Sequence, residues 1–257
     1  MKFAVLGSNT STSLSPKLHS IVYDILELNH SYSFIESSDI DQDMLLKYNG
    51  LNITNPFKKS IINYVDNVDP LAEKIGSVNC IKCSNSKIYG FNTDYYGFNQ
   101  FIKSNKIELF NKDILVVGAG GASLSICCYL NDINKKFKIL NRTYTNTQHF
   151  INKLNISNNS IYDGKLKHYD IIINCLPNNV NFLKMLERNE IDYQKSTSII
   201  DINYLTNINY INDNQNYYNG IDMLIHQAIK SIEIWIEKDI SQIVDYQIIK
   251  DRLKKDA

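Results

Sequence analysis

The sequence predicts an α/β protein whose middle portion forms a doubly wound parallel sheet. Three features point there. Short, largely apolar runs recur at Ile114–Val117, Phe137–Leu140, Asp170–Asn174 and Ser198–Asp201, and near-continuous apolar runs mark strands buried on both faces. Helical stretches, Leu124–Leu130 and Thr143–Leu154, alternate with them. Glycines cluster in Gly118-Ala119-Gly120-Gly121, between the first of these strands and the helix after it.

Ahead of this region the elements follow in order. Phe3–Leu6 is an apolar strand, followed by a loop of Gly, Ser, Asn and Thr. Ser15-Pro16 then opens a helix, with Ser15 as N-cap and Pro16 at the first helical position, where a missing N–H is harmless. Leu18, Ile21, Val22, Ile25 and Leu26 share one face at the 3.6-residue period. Tyr32–Ile35 and Gly50–Ile53 read as strands, the second ending at Thr54-Asn55-Pro56. A helix from about Phe57 would turn Ile61, Ile62 and Val65 inward. Val78–Ile81 and Lys87–Phe91 flank Ser84-Asn85-Ser86 as a hairpin. Met223–Lys238 and Ser241–Lys254 close the chain as helices.

Composition narrows the function. With 257 residues and 44% hydrophobic content the chain can bury one large core or two small ones. Lys plus Arg and Asp plus Glu both number 27. Neither sign forms a block, so the basic stripe of a nucleic-acid partner is missing. No apolar run approaches the roughly 18 residues of a membrane span, and Met1–Leu6 reads as a strand rather than a signal peptide. Five cysteines, an odd number, argue against a disulfide framework and for a reducing cytoplasm. Cys80-Ile81-Lys82-Cys83 has zinc-knuckle spacing but lacks a second pair, and in a strand its two thiols face opposite sides. The histidines are scattered, so no metal site is expected.

Gly118, Ala119, Gly120, Gly121 and Ala122 form the turn on which a dinucleotide pyrophosphate would rest, at a helix N-terminus that favours its charge. Ser123 stands where the common fingerprint has its third glycine. The next strand ends in Asn141-Arg142-Thr143, with no acid to bond ribose hydroxyls. Arg142 offers a planar donor fork suited to a 2′-phosphate, which points to NADP. In the first part of the chain, Ser13 and Ser15 precede a helix N-terminus and suit a carboxylate. Asn52, Thr54 and Lys58 belong to the third strand and the segment after it; Asn79 lies in the strand-like run Val78–Ile81, and Asp94, in Asn92-Thr93-Asp94, reads also as the cap of a helix.

Together these segments resemble the shikimate dehydrogenase family in order and spacing. Ser13-Leu14-Ser15-Pro16 is similar to that family's substrate-carboxylate loop, Asn52 to Lys58 to its catalytic lysine segment, and Gly76 to Asn79 to its asparagine turn. Gly90 to Asp94 is similar to its catalytic aspartate segment. Gly118 to Ser123 and Asn141-Arg142-Thr143 resemble its NADP loops, and Asn219 to Gln227 the segment touching nicotinamide and substrate.

The resemblance implies an N-terminal α/β substrate domain, residues 1–96 completed by 223–257, and a Rossmann-like NADP-binding domain, 97–222, with C-terminal helices returning to the first domain. It implies reversible NADPH-dependent reduction of 3-dehydroshikimate to shikimate. Lys58 and Asp94 would be catalytic, and Ser13, Ser15 and Tyr204 would hold the substrate carboxylate. Asn52, Thr54, Asn79 and Gln227 would complete the substrate site, and Gly220 and Met223 would join the cofactor contacts. The expected protein is a cytoplasmic monomer or homodimer acting on a small molecule, without nucleic acid, membrane or metal. A ketone reduced by hydride leaves an alkoxide needing a proton, which a lysine can donate while its charge steadies the developing oxyanion.

Some positions depart from the family. Thr12 stands for a His, Asn55 for an apolar residue, Lys59 for an acid, and Asn146 for a second phosphate-binding Arg. Leu176-Pro177-Asn178 lacks a Gly-containing loop. The alternatives are a quinate/shikimate dehydrogenase with relaxed NAD or NADP use, and a non-catalytic metabolite sensor. Retention of Lys58 and Asp94 speaks against the sensor, which has little need of a proton donor.

Overall fold

The computed structural model describes residues 1–157, 160–193, 197–204 and 216–255. The chain divides into two compact units, Met1–Phe101 with Asp222–Ala257, and Ile102–Ile221.

The first unit begins with β1 (Lys2–Gly7), α1 (Ser15–Ile25), β2 (Ser31–Glu36), α2 (Gln42–Leu45) and β3 (Gly50–Ile53). A 3-10 turn at Ser60–Tyr64 leads to β4 (Asn67–Val68), α3 (Pro70–Ile75), β5 (Cys80–Ser84), β6 (Lys87–Phe91) and α4 (Asp94–Ser104). Its six-stranded sheet runs β2-β1-β3-β5-β6-β4. β1 is parallel to β2 and β3, whereas β3–β5 and β5–β6 are antiparallel. That mixture gathers the polar segments. Asn52 pairs with Cys80, and Cys80 with Phe91. The end of β3, the start of β5 and the end of β6 therefore share one edge of the sheet with the end of β1. The residues that follow or precede them, Ser13, Thr54, Lys58, Asn79 and Asp94, all leave from that edge.

Two local expectations need correcting. Leu14, not Ser15, is the N-cap of α1: its carbonyl accepts the Leu18 amide at 2.9 Å, and Pro16 is the second helical residue. The Ser13 hydroxyl takes the Ser15 amide at 3.2 Å, so Ser15 enters the helix. After β3 no α-helix forms from Phe57. The chain turns with Phe57 N–H donating to Thr54 O at 2.9 Å across the cis Asn55–Pro56 bond, then makes the 3-10 turn. Ile61 is buried while Ile62 and Val65 are half-buried; three-residue spacing fits a 3-10 turn as well as an α-helix.

The second unit contains β7 (Ile114–Val117), α5 (Gly121–Asp132), β8 (Phe137–Leu140), α6 (Tyr144–Lys153), β9 (Ile171–Asn174), α7 (Phe182–Arg188), β10 (Ser198–Asp201) and β11 (Tyr217–Asn219). The order β11-β10-β9-β7-β8 is parallel throughout. Its apolar strands fill a core of Leu115, Val117, Tyr169, Ile172, Leu186 and Ile199. The strand order reverses beside β7, so the glycine loop after β7 stands at the topological switch point, where open parallel sheets bind ligands.

Two helices, α8 (Ile221–Ile236) and α9 (Tyr246–Lys255), end the chain. α9 starts later than Ser241 because Asp245 caps it, accepting from the Gln247 and Ile248 amides at 2.7 and 3.3 Å. It lies along α1, with Lys17 Nζ donating to Leu253 O at 3.0 Å. α8 crosses the first sheet closely. A Cβ on Gly50 would meet the Trp235 ring, whose Nε1 donates to Ile81 O at 2.8 Å. Among the described residues no helix is long and apolar enough to cross a membrane.

Candidate active site

The edge where β3, β5 and β6 meet carries an interlocked polar network inside the first unit. Lys58 Nζ donates to Asp94 Oδ2 at 2.6 Å. Asn79 Nδ2 reaches the other carboxylate oxygen at 2.9 Å. The Thr93 amide donates to Asn79 Oδ1 at 2.6 Å, which fixes the direction of the Asn79 side chain. Gln227, on α8, accepts from Asn79 Nδ2 and from Thr93 Oγ1, both at 3.4 Å. Its own amide group donates to Leu224 O at 2.9 Å, one turn back.

Burial gives these contacts their strength. Asn79, Thr93, Asp94 and Gln227 are 2%, 1%, 5% and 8% exposed, so their bonds face little competition from water. Lys58 is less enclosed, its side chain 13% accessible. One of its three N–H groups holds Asp94, leaving two for another acceptor. Asp94 does not serve as the N-cap of α4. Thr93 O accepts the Gly97 amide at 2.8 Å, which places Asp94 first in the helix, where a negative charge is favoured. Gly97 itself has a structural purpose: a Cβ there would meet Gln227 Cβ at 2.8 Å and Met223 O at 3.0 Å. Its absence lets α4 and α8 approach, so Gln227 reaches Asn79.

Asn52 belongs to an adjoining set. Its Nδ2 donates to Ser231 Oγ at 2.8 Å and its Oδ1 accepts from Tyr32 Oη at 2.8 Å. With its side-chain oxygen engaged by β2 and its side-chain nitrogen by α8, Asn52 braces the network. Thr54 stands where β3 leaves the sheet, its methyl against Gly7, at which a Cβ would come within 2.4 Å. Ser13, in the loop after β1, and Ser15, the first residue of α1, lie outside the network.

In the second unit, the Gly118 amide donates to Leu140 O at 2.8 Å. That bond ties the glycine loop to the end of β8, and so to Asn141, Arg142 and Thr143. Gly118 has φ of +109°, and a Cβ there would meet Cys175 O at 3.1 Å, so glycine is required. Gly120 caps α5 and has nothing within 4 Å of an added Cβ. A phosphate approaching the backbone finds that space open, so the loop fits a dinucleotide. Gly121 begins α5, and Ala119 and Ala122 are half-buried beside it. Ser123 accepts the Gly120 amide at 3.2 Å, which explains a serine in the third glycine position. Arg142 and Thr143 are exposed, and Asn141 Nδ2 donates to Thr143 O at 3.1 Å. Tyr204 follows β10 and Gly220 follows β11, whereas Met223 is buried on α8 in the first unit.

Sequence reasoning missed Thr93 and Ser231. Ser231 was detectable: it follows Gln227 by four residues and so shares its helix face, where its hydroxyl donates to Gln227 O at 2.9 Å. A polar knot in the second unit was missed as well. Buried Asp201 accepts from Asn174 Nδ2 at 3.1 Å and from the Asn203 backbone and side chain at 3.0 and 2.9 Å. Cys80 and Cys83 hold no metal-like arrangement; burial pushes their thiols up to about 12 and about 11. Among the described residues no group of three His, Cys, Asp or Glu is placed to hold a metal.

A parallel sheet with a glycine loop at its switch point, joined in one chain to a mixed sheet bearing a partly buried Lys–Asp pair, defines a two-unit α/β protein of the nucleotide-binding class. Comparison with known proteins narrows this. Residues 5–81 match the family described as Shikimate dehydrogenase substrate binding domain, and residues 101–226 match Shikimate / quinate 5-dehydrogenase. A Shikimate dehydrogenase (NADP(+)) of Staphylococcus aureus strain MSSA476 is 35% identical over 93% of this chain and 94% of its own. One from Clostridium beijerinckii is 32% identical over 91% and 92%. Shikimate dehydrogenase 1 of Peptoclostridium difficile superposes with a TM-score of 0.78 at 27% identity, covering 99% of this chain and 97% of that one. The fold also matches a shikimate 5-dehydrogenase of Thermus thermophilus, TM-score 0.83 at 21% identity, over the whole of both chains. The chain belongs to the shikimate dehydrogenase family.

Proposed function

We propose that the protein catalyses the reversible NADPH-dependent reduction of 3-dehydroshikimate to shikimate. The observation that carries this reading is the Lys58–Asp94 pair at 2.6 Å, held by Asn79 and facing the sheet edge shared by the other polar segments. NADPH, when bound, supplies the hydride. Lys58 donates a proton to the oxygen of the reduced carbonyl, using an N–H not committed to Asp94. Asp94 orients the ammonium and accepts from the same substrate hydroxyl, while Asn79, Thr54 and Gln227 bond the ring hydroxyls. Asn52 holds this set in place. Ser13, Ser15 and Tyr204 take the carboxylate.

The first unit is on this reading the substrate domain and the second the NADP domain. Gly118 to Ala122 receive the pyrophosphate, Asn141, Arg142 and Thr143 the 2′-phosphate side, and Gly220 and Met223 the nicotinamide side. The relatives named for NADP(+) support the cofactor. Free cysteines, four of them buried, support a reducing compartment such as the cytoplasm. Exposed Asn146 adds no charge beside Arg142, which favours some tolerance for NAD. The test is reduced-nicotinamide absorbance on mixing the protein with shikimate or quinate and with NADP or NAD. Turnover of shikimate, fastest with NADP, is expected; turnover of neither substrate with either cofactor overturns the proposal.

A further inference from the structure

The loop leaving β1 carries one proposed carboxylate ligand, Ser13, and delivers the other, Ser15, at the start of α1, yet the loop has almost no core. Ser8, Asn9, Ser11 and Thr12 are exposed, and only Thr10 is buried. A carboxylate on the neighbouring strand holds it. Glu36 ends β2 and pairs with Gly7 at the end of β1, so its side chain stands where the loop begins. Glu36 Oε1 accepts the amides of Thr10 and Ser11, both at 2.8 Å, and Thr10 Oγ1 donates to Ile35 O at 3.1 Å. The bonding continues along the loop. Thr10 O accepts the Ser13 amide at 3.0 Å, and Ser13 Oγ accepts the Ser15 amide at 3.2 Å.

An anion beside an anion-binding loop would ordinarily repel its ligand. Here the charge is directed into two backbone amides. The Ser11 contacts first, and then the Thr10 amide, hold the Glu36 carboxyl below the usual carboxylate range. It stays ionised through neutral pH, and the brace with it.

We propose that Glu36 is a positioning residue for the substrate carboxylate: through Thr10 and Ser11 it sets the loop that presents Ser13 and Ser15. The proposal rests on the reading of those serines as carboxylate ligands. Glu36→Ala should raise the Michaelis constant for shikimate by roughly three- to tenfold, the effect of a typical hydrogen bond. The turnover number, the Michaelis constant for NADP and the melting temperature should stay near wild type. Glu36→Gln, which keeps an acceptor, should recover most of the loss; simple relief of repulsion would instead lower the constant in both variants. In a Ser13→Ala background, Glu36→Ala should add little, because the two act on one contact.

Amide hydrogen exchange on the same full-length variants reads the brace without any substrate. Thr10 and Ser11 should exchange faster in Glu36→Ala. An unchanged shikimate constant, full additivity with Ser13→Ala, or unchanged exchange at both amides would overturn the role. Faster exchange in Glu36→Ala, with a wild-type protein that turns over no shikimate, would keep the brace and reject the substrate reading instead.

Discussion

The two units build their sites by opposite means. In the first, polar side chains bond one another: Lys58, Asn79, Thr93, Asp94 and Gln227 form one network, nearly all of it shielded from water. In the second, the backbone does the shaping: Gly118 bends through a positive φ, Gly120 leaves open space, and Arg142 stands exposed. The difference follows from the tasks proposed for them. Stabilising charge that develops during a reaction needs donors fixed in advance and kept from water. Capturing a phosphate needs amides at a helix N-terminus and a cation free to reach.

Substitutions should separate the two designs. Lys58→Ala in the first unit should lower the turnover number by about 10²–10⁴-fold, the usual cost of losing a positioned general acid, while shikimate affinity by calorimetry changes far less. Asp94→Asn should behave similarly, since its carboxylate orients the ammonium at 2.6 Å. Ser13→Ala or Ser15→Ala should weaken binding and spare turnover, because a carboxylate contact persists unchanged into the transition state. Near-normal turnover in Lys58→Ala would make Lys58 a binding residue. Arg142→Ala in the second unit should raise the Michaelis constant for NADP by roughly tenfold to a hundredfold, as expected for a charge-assisted contact, with NAD use nearly unchanged. Equal losses with both cofactors would remove Arg142 from the 2′-phosphate.

The second unit was the more legible in the sequence. Four of its five strands are short, largely apolar runs, its glycine loop sits between strand and helix, and each of these features is local; β11, Tyr217-Tyr218-Asn219, has no such run and was not predicted. The first unit's chemistry depends on pairings between segments far apart in the chain. Lys58 is an ordinary surface-type lysine until the β3–β5–β6 register brings Asp94, 36 residues later, to its side. Ser231 reaches Asn52 across a sequence separation of 179 residues, which no local pattern encodes. Helix ends were misread where a loop hydroxyl captured an amide, as Ser13 does from Ser15. The short 3-10 turn at Ser60 escaped because its apolar spacing also suits an α-helix.

Acid should distinguish the units more gently, through His19. Its ring is wholly buried, stacked on Tyr32 at 3.8 Å and 5.4 Å from the ring of Trp235. Burial lowers its pKa from 6.5 to about 3, so the folded first unit keeps it neutral while the unfolded chain takes a proton near 6.5. The unfolded state then binds more protons as pH falls, and stability follows the proton count. The contribution is complete above pH 6.5 and is lost progressively below it, towards about 3. One linked proton changes the unfolding equilibrium by about tenfold per pH unit. His226, also in the first unit and lowered to about 4 chiefly by burial, adds to the slope. Trp235 is the single tryptophan and belongs to the same unit, so its fluorescence follows that unit's denaturation. Urea unfolding read at Trp235 should shift to lower midpoints as pH drops from 6.5 to 4.5. His19→Phe, which can retain the stacking on Tyr32, should remove one proton's share of that shift and leave the His226 share. A midpoint with the same pH dependence in the variant as in wild type would mean that His19 takes up no extra proton on unfolding, and the first unit's acid sensitivity would have to come from His226 and its carboxylates.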